Sequence, residues 1–294
     1  MSKFKTRFRK VIKILTIIVL VLLVLILLAM NFLMPFKESD DKLTRYFAGK
    51  NVEVLIHHQE YQGKSIRFIE TKGNDAPDST LVVFVHGAPG SLSDHKAFLA
   101  DSLLLTKARL ISVDRLGYGE SHYGDSETGI AAQARFLKFI VDQYPHEKLV
   151  LSGHSFGGPI VAKFGMDYPD ITDKIIMLAP LNEPTSEPMF TISYFAKWKL
   201  TRWVLPKAIK VSADEKFTHV EELQKLYDEW KNMEVPILHM HGTKDFLAPI
   251  SNVKFSEDHI PDHLLETIVL KEVNHFLPWT HFDLVKQEVL KSLE

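Results

Sequence analysis

Leu149-Val150-Leu151-Ser152-Gly153-His154-Ser155-Phe156-Gly157-Gly158 is an apolar run that closes in G-x-S-x-G and passes into a helical pattern. A sharp strand-to-helix turn of this kind pushes its middle serine out of the sheet edge, and only glycine-sized neighbours leave room for it. Ser155 is therefore the candidate nucleophile. The plain alternative is a glycine-rich turn closing an ordinary strand, so the rest of the chain has to decide between them.

Outward from this turn, short β-branched runs alternate with longer amphipathic ones, the pattern of a mostly parallel sheet flanked by helices. The periodicity predicts strands near 52–58, 65–71, 80–86, 108–114, 148–153, 174–179, 235–240 and 266–271. Helices are expected near 94–106, 128–144, 157–168, 251–259 and 281–293. Ile130, Ala134, Phe136, Leu137, Ile140 and Val141 recur at helical spacing, and Tyr144-Pro145 ends that pattern. The alternation stops between about Leu181 and Met233, so residues 181–233 read as an inserted helical cap. Residues 51–180 and 234–294 would then form the core.

A serine hydroxyl is a weak nucleophile until a base removes its proton, and the base must be oriented by a carboxylate. Asp245 lies just past the strand pattern Ile237-Leu238-His239-Met240, and His275 lies in the loop after Thr267-Ile268-Val269-Leu270. Upstream, Leu81-Val82-Val83-Phe84-Val85 runs into His86-Gly87-Ala88-Pro89-Gly90, a small-residue loop. Backbone amides there and after the serine suit a developing oxyanion, and Ala88 and Phe156 are the natural donors.

With these elements in order, the sequence resembles the α/β-hydrolase fold family, specifically the capped serine hydrolases with an H-G-x-P-G loop and a G-x-S-x-G elbow. The resemblance covers about residues 50–294. Asp114-Arg115-Leu116-Gly117-Tyr118-Gly119-Glu120-Ser121 is similar to the family's D-x-x-G-x-G-x-S loop. It implies Ser155 as nucleophile, His275 as general base and then acid, Asp245 as orienting carboxylate, and the Ala88 and Phe156 amides as oxyanion hole. No metal or organic cofactor is implied. Relatives that open epoxides or displace halide carry aspartate at the elbow, where this chain has Ser155. Asn274 stands where relatives usually have glycine before the histidine. Ala88 and Phe156 replace the glycine and tryptophan common in prolyl aminopeptidases, which weakens a peptidase assignment. Glu183 is the reserve acid.

Cysteine is absent, which excludes disulfides, thiolate metal sites and a cysteine nucleophile. From residue 38 onward 28 basic residues face 37 acidic ones, a poor electrostatic partner for nucleic acid. His239 and His241 alternate along a strand, but no third metal ligand accompanies them, and His57-His58 would diverge to opposite faces. His86 is expected to shape its loop, and Asp114 to accept hydrogen bonds from its own.

Residues 14–34 are apolar except for Thr16 and Asn31, enough as a helix to span the roughly 30 Å hydrocarbon core. A transmembrane signal-anchor is expected there rather than a cleaved signal peptide. Six basic residues within 1–13 favour a cytoplasmic N-terminus, with a linker over 35–50 and the catalytic body on the extracytoplasmic side. From Phe190 to Val211 no acid occurs, while Lys197, Lys199, Arg202, Lys207 and Lys210 interleave with Tyr194, Phe195, Trp198 and Trp203. That composition suits a lid resting on lipid headgroups, or else an amphipathic helix with solvated cations.

The sequence therefore predicts a membrane-anchored serine hydrolase that cleaves an ester or related acyl bond of a small, apolar substrate. Acyl transfer or amide hydrolysis would use the same three residues. A non-catalytic ligand-binding protein with the same fold is the competing class.

Overall fold

Alternation of side chains along each strand sorts the core into two layers, one on each face of a single sheet. The structure is a computed structural model that describes residues 2–33, 36–186 and 188–294, without the side chains of 2–6, 27, 30–33 and 192. Eight strands pair in the order β1-β2-β4-β3-β5-β6-β7-β8. They are β1 (Leu55–Tyr61), β2 (Lys64–Thr71), β3 (Thr80–Val85), β4 (Arg109–Val113), β5 (Lys148–His154), β6 (Lys174–Leu178), β7 (Ile237–Gly242) and β8 (Leu265–Leu270). β2 runs antiparallel to both neighbours and every other pair is parallel.

Leu81, Val83, Val85, Leu149, Leu151, Ile175 and Met177 point to one face and pack on Phe136, Ile140, Val161 and Phe164. Val82, Phe84, Val150, Ile176 and Leu178 point to the other and meet Leu43, Phe47, Phe98, Val285 and Val289. The helices involved are α1 (Ser2–Leu33), α2 (Asp40–Ala48), α3 (Ile130–Val141), α4 (Gly157–Asp167), α5 (Thr191–Lys197), α6 (Lys207–Leu226), α7 (Ser251–His259) and α8 (Phe282–Lys291). α5 and α6 lie between β6 and β7 in the chain, within the expected insertion, with a short turn of helix at Lys199–Arg202 between them.

Two sequence expectations need correction, and a third finds no support. The first strand sits three residues later than expected, because Gln62 (φ 50°) and Gly63 (φ 75°) make a two-residue hairpin turn that fixes the register Tyr61↔Lys64. The helix expected over 94–106 is broken into short turns, since the Asp101 side chain accepts from the Leu103 and Leu104 amides and starts a new one. The transmembrane segment expected at 14–34 is left unsupported. α1 forms, but among the described residues no helix is long and apolar enough to cross a membrane. Its described side chains run unbroken only over 7–26, where Arg7, Arg9, Lys10 and Lys13 interrupt the apolar surface, and Met34 lies outside the described residues.

Candidate active site

β5 delivers Ser155 into a backbone conformation (φ 53°) that a side-chain-bearing residue rarely adopts, before α4 begins at Gly157. Crowding shows why glycines surround it. A Cβ on Gly153 would lie 2.3 Å from the Gly157 carbonyl oxygen, and one on Gly157 would lie 2.4 Å from that of Val85. The Ser155 amide donates to the Leu178 carbonyl at 2.9 Å, which ties the turn to the next strand.

The acid and the histidine come from the far side of the sheet. Asp245 follows β7, where its Oδ1 accepts from the Leu247 and Ala248 amides at 2.9 and 2.7 Å. Its Oδ2 lies 2.7 Å from His275 Nδ1, and both residues are buried. A carboxylate accepts, so Nδ1 carries the proton and Nε2 is left as the basic nitrogen. Gly242 makes the approach feasible, since a Cβ there would sit 2.2 Å from the Val273 carbonyl oxygen of the histidine loop. Asn274 fits without a left-handed backbone, its Oδ1 accepting from the Phe276 amide, while Glu272 carries the positive φ of 64°. Glu183 is engaged elsewhere: its carboxylate accepts from the Thr185 amide and from Ser251 Oγ.

Ser155, His154, His275, Ala88 and Phe156 all line one cavity of about 420 Å³, which is also lined by Phe190, Ala196, Ile209, Ala213 and Lys216 of the inserted segment. The structure thus joins Asp245 to His275 and brings Ser155 to the same cavity. It draws no hydrogen bond between Ser155 and His275, a link that often tightens only around substrate. Neither the Ala88 nor the Phe156 amide donates a hydrogen bond among the described residues. Gly87, the residue before Ala88, passes so close that a Cβ on it would lie 2.9 Å from Ser155 Cβ.

Several residues of the site escape local sequence patterns. His154, tilted against His275 and edge-on to Trp279, donates its Nε2–H to the His275 carbonyl (3.1 Å), and burial holds its imidazole well below the usual range and neutral. Asp94 lines the cavity wall, and burial pushes its carboxyl up to about 7. Arg115 is fully buried behind the His86–Gly90 loop. His86 does shape that loop, placing Nδ1 2.7 Å from the Gly87 carbonyl. Asp114 accepts from the Glu120 amide of its own loop, and also from the Leu92 amide and Arg67.

The histidines set aside as metal ligands are in hydrogen bonds. His239 Nε2 lies 3.0 Å from His241 Nδ1, and His57 and His58 reach Glu70 and Asp40. Among the described residues, Asp40, His58 and Glu120 converge closely enough to hold an ion. Arg67 and Lys37 already neutralise those carboxylates.

A family profile described as alpha/beta hydrolase fold matches residues 80–215, the segment holding β3 to β6, Ser155 and the start of the insertion. The chain adopts the α/β-hydrolase fold. The carboxylesterase of Bacillus subtilis superposes with a TM-score of 0.62 at 18% identity, covering 86% of this chain and 97% of that one. A bacterial membrane phospholipase A superposes at 0.64 with 14% identity, covering 95% and 97%. Among curated sequences, a 1-acylglycerol-3-phosphate O-acyltransferase named in Oryza sativa subsp. japonica is 28% identical over 141 residues, 46% of this chain and 33% of that protein. This chain spans less than half the length of the curated relatives it matches.

The two carboxylates are separable by mutation. Asp245→Asn should lower ester turnover by about 10⁴-fold, because an amide in that place favours the wrong imidazole tautomer. Glu183→Gln should leave turnover near the wild-type value. Steady-state kinetics on both variants checks the assignment, and the reverse ranking would move the acid to Glu183.

Proposed function

We propose that this chain is a membrane-anchored serine hydrolase that cleaves carboxylic esters with an apolar acyl group. The observation that carries the reading is the Asp245–His275 hydrogen bond at 2.7 Å together with a strained Ser155, His275 and Ser155 facing one cavity. Ser155 Oγ attacks the acyl carbon and its proton passes to His275 Nε2. The carbonyl oxygen becomes an oxyanion that accepts from the Ala88 and Phe156 amides. His275 then protonates the departing alcohol, and water repeats the sequence on the acyl-enzyme. Asp245 keeps Nδ1 protonated throughout.

Leu181, Phe190, Ala196, Ile209 and Trp279 give the cavity walls an apolar character that suits an acyl chain. The lipase- and esterase-type names among the structural neighbours agree with that choice.

The anchor rests on α1. Ile14, Val19, Leu22 and Ile26 are 57%, 62%, 53% and 59% exposed, so the stretch after Lys13 presents apolar side chains on several faces. An apolar environment suits such a surface, and the basic residues that precede it suit a headgroup layer. Val24 also packs against Ala196, Val204, Leu205 and Ala213, which brings the helix to the inserted segment. Trp198, Leu200 and Trp203 are exposed there beside Lys197 and Lys199, an arrangement suited to anionic headgroups.

Full-length protein in detergent micelles should hydrolyse p-nitrophenyl esters, with kcat/KM rising by up to about four-fold per methylene, from ~0.8 kcal/mol each. The rise should turn over once the chain outgrows the cavity, and Ser155→Ala should abolish turnover. Hydrolysis that survives in Ser155→Ala would refute the reading.

Because the chain has no cysteine, single substitutions report topology without background. An impermeant maleimide added to intact cells should modify Asp75→Cys, at an exposed position in the body, and spare Ser2→Cys. The opposite pattern would invert the proposed orientation.

A further inference from the structure

Arg115 and Glu215 are 1% and 0% exposed and come from opposite halves of the molecule, the loop after β4 and helix α6 of the insertion. The guanidinium grips the carboxylate in a fork, Nη1 to Oε1 at 2.6 Å and Nη2 to Oε2 at 3.2 Å. Tyr118 donates its hydroxyl to the same Oε2 at 2.5 Å. A buried ion pair of this kind gains little stability over apolar side chains of similar volume, because both charges lose their hydration. Its other contacts suggest what else it does.

Arg115 Nε donates to the His86 carbonyl at 2.9 Å, and Nη2 donates to the Gly87 carbonyl at 3.0 Å. The Gly87 carbonyl and the Ala88 N–H are two ends of one planar peptide group, pointing in opposite directions. Fixing the oxygen therefore fixes where the N–H points. A cation on the oxygen also polarises the group and makes its N–H a stronger donor. His86 completes the cradle: its Nδ1–H donates to the Gly87 carbonyl, and its Nε2 accepts from the Arg115 amide at 3.0 Å. The guanidinium carbon lies 4.9 Å from the centre of the Phe156 ring, so Arg115 also touches the residue that bears the second amide.

We propose that Arg115, held by Glu215 of the inserted segment, is the positioning residue of the oxyanion hole, aiming and polarising the Ala88 amide. This rests on the reading of Ser155 as nucleophile. It makes docking of the insertion a condition for stabilising the transition state, beyond its part in forming the cavity. Only the oxyanion-bearing state should register the loss, since a ground-state ester leaves the Ala88 amide little used.

An alkyl trifluoromethyl ketone provides the test. Ser155 Oγ adds to its carbonyl carbon, the serine proton moves to His275, and the carbonyl oxygen becomes an oxyanion in the hole. Deleting an oxyanion donor outright costs about 10²–10³ in kcat, so misaiming one through Glu215→Gln should cost about 10–10²-fold. KM should stay close to wild type, and affinity for the ketone should fall in proportion to kcat/KM. Tyr118→Phe removes one hydrogen bond while leaving the fork intact; it should show the same proportional loss, but smaller, at an unchanged melting temperature. It carries the test alone if Glu215→Gln does not fold. Full kcat in the variants, or a fall in kcat with ketone affinity retained, would overturn the proposal. Ketone binding by the wild type that Ser155→Ala does not weaken would overturn the serine reading, and this proposal with it.

Discussion

Steric crowding at the end of β5 sets the arrangement of everything around it. Gly153, Gly157 and Gly87 each approach a neighbour too closely to carry a side chain, and that compression holds Ser155 at positive φ. Strain of this kind persists only where the surroundings over-determine it. Here β6 accepts the serine amide through Leu178, β3 presses on the helix start through Val85, and the loop after β3 passes over the serine through Gly87. The central strands of the sheet therefore act as a jig for one side chain.

Around this jig the polar groups are buried, and nearly all are partnered. Burial holds the imidazoles of His86, His154 and His239 well below the usual range, so they stay neutral and serve as directional hydrogen-bonding groups. Asp245 is held by two amides and by His275, an arrangement that fixes the ring as well as the carboxylate. The guanidinium of Arg67 locks the Asp114 loop against β2, as that of Arg115 locks the His86–Gly90 loop against the insertion. Both loops that frame the site are thus secured by arginine at full burial.

What the sequence made legible was local. Runs such as Leu81–Val85 and Leu149–Leu151 announce buried strands by composition, and the glycines of the elbow announce its turn. Asp245 and His275 stand out because each follows a strand pattern directly. The break at Asp101 is a competition between helix continuation and side-chain capping, which periodicity does not register. The Gln62-Gly63 turn moved β1 for a similar reason. Arg115 and Glu215 are a hundred positions apart, and no spacing rule links them. For α1, the apolar run is plain in the sequence, but among the described residues the helix is not long and apolar enough to cross a membrane.

The proposed chemistry requires Ser155 to be a nucleophile activated by His275. Reaction of the full-length protein with a fluorophosphonate, followed by peptide mapping, tests that most directly. One adduct is expected, on Ser155, formed far more slowly in His275→Gln. A protein that hydrolyses esters while Ser155 stays unmodified, or an adduct on another serine, would contradict it.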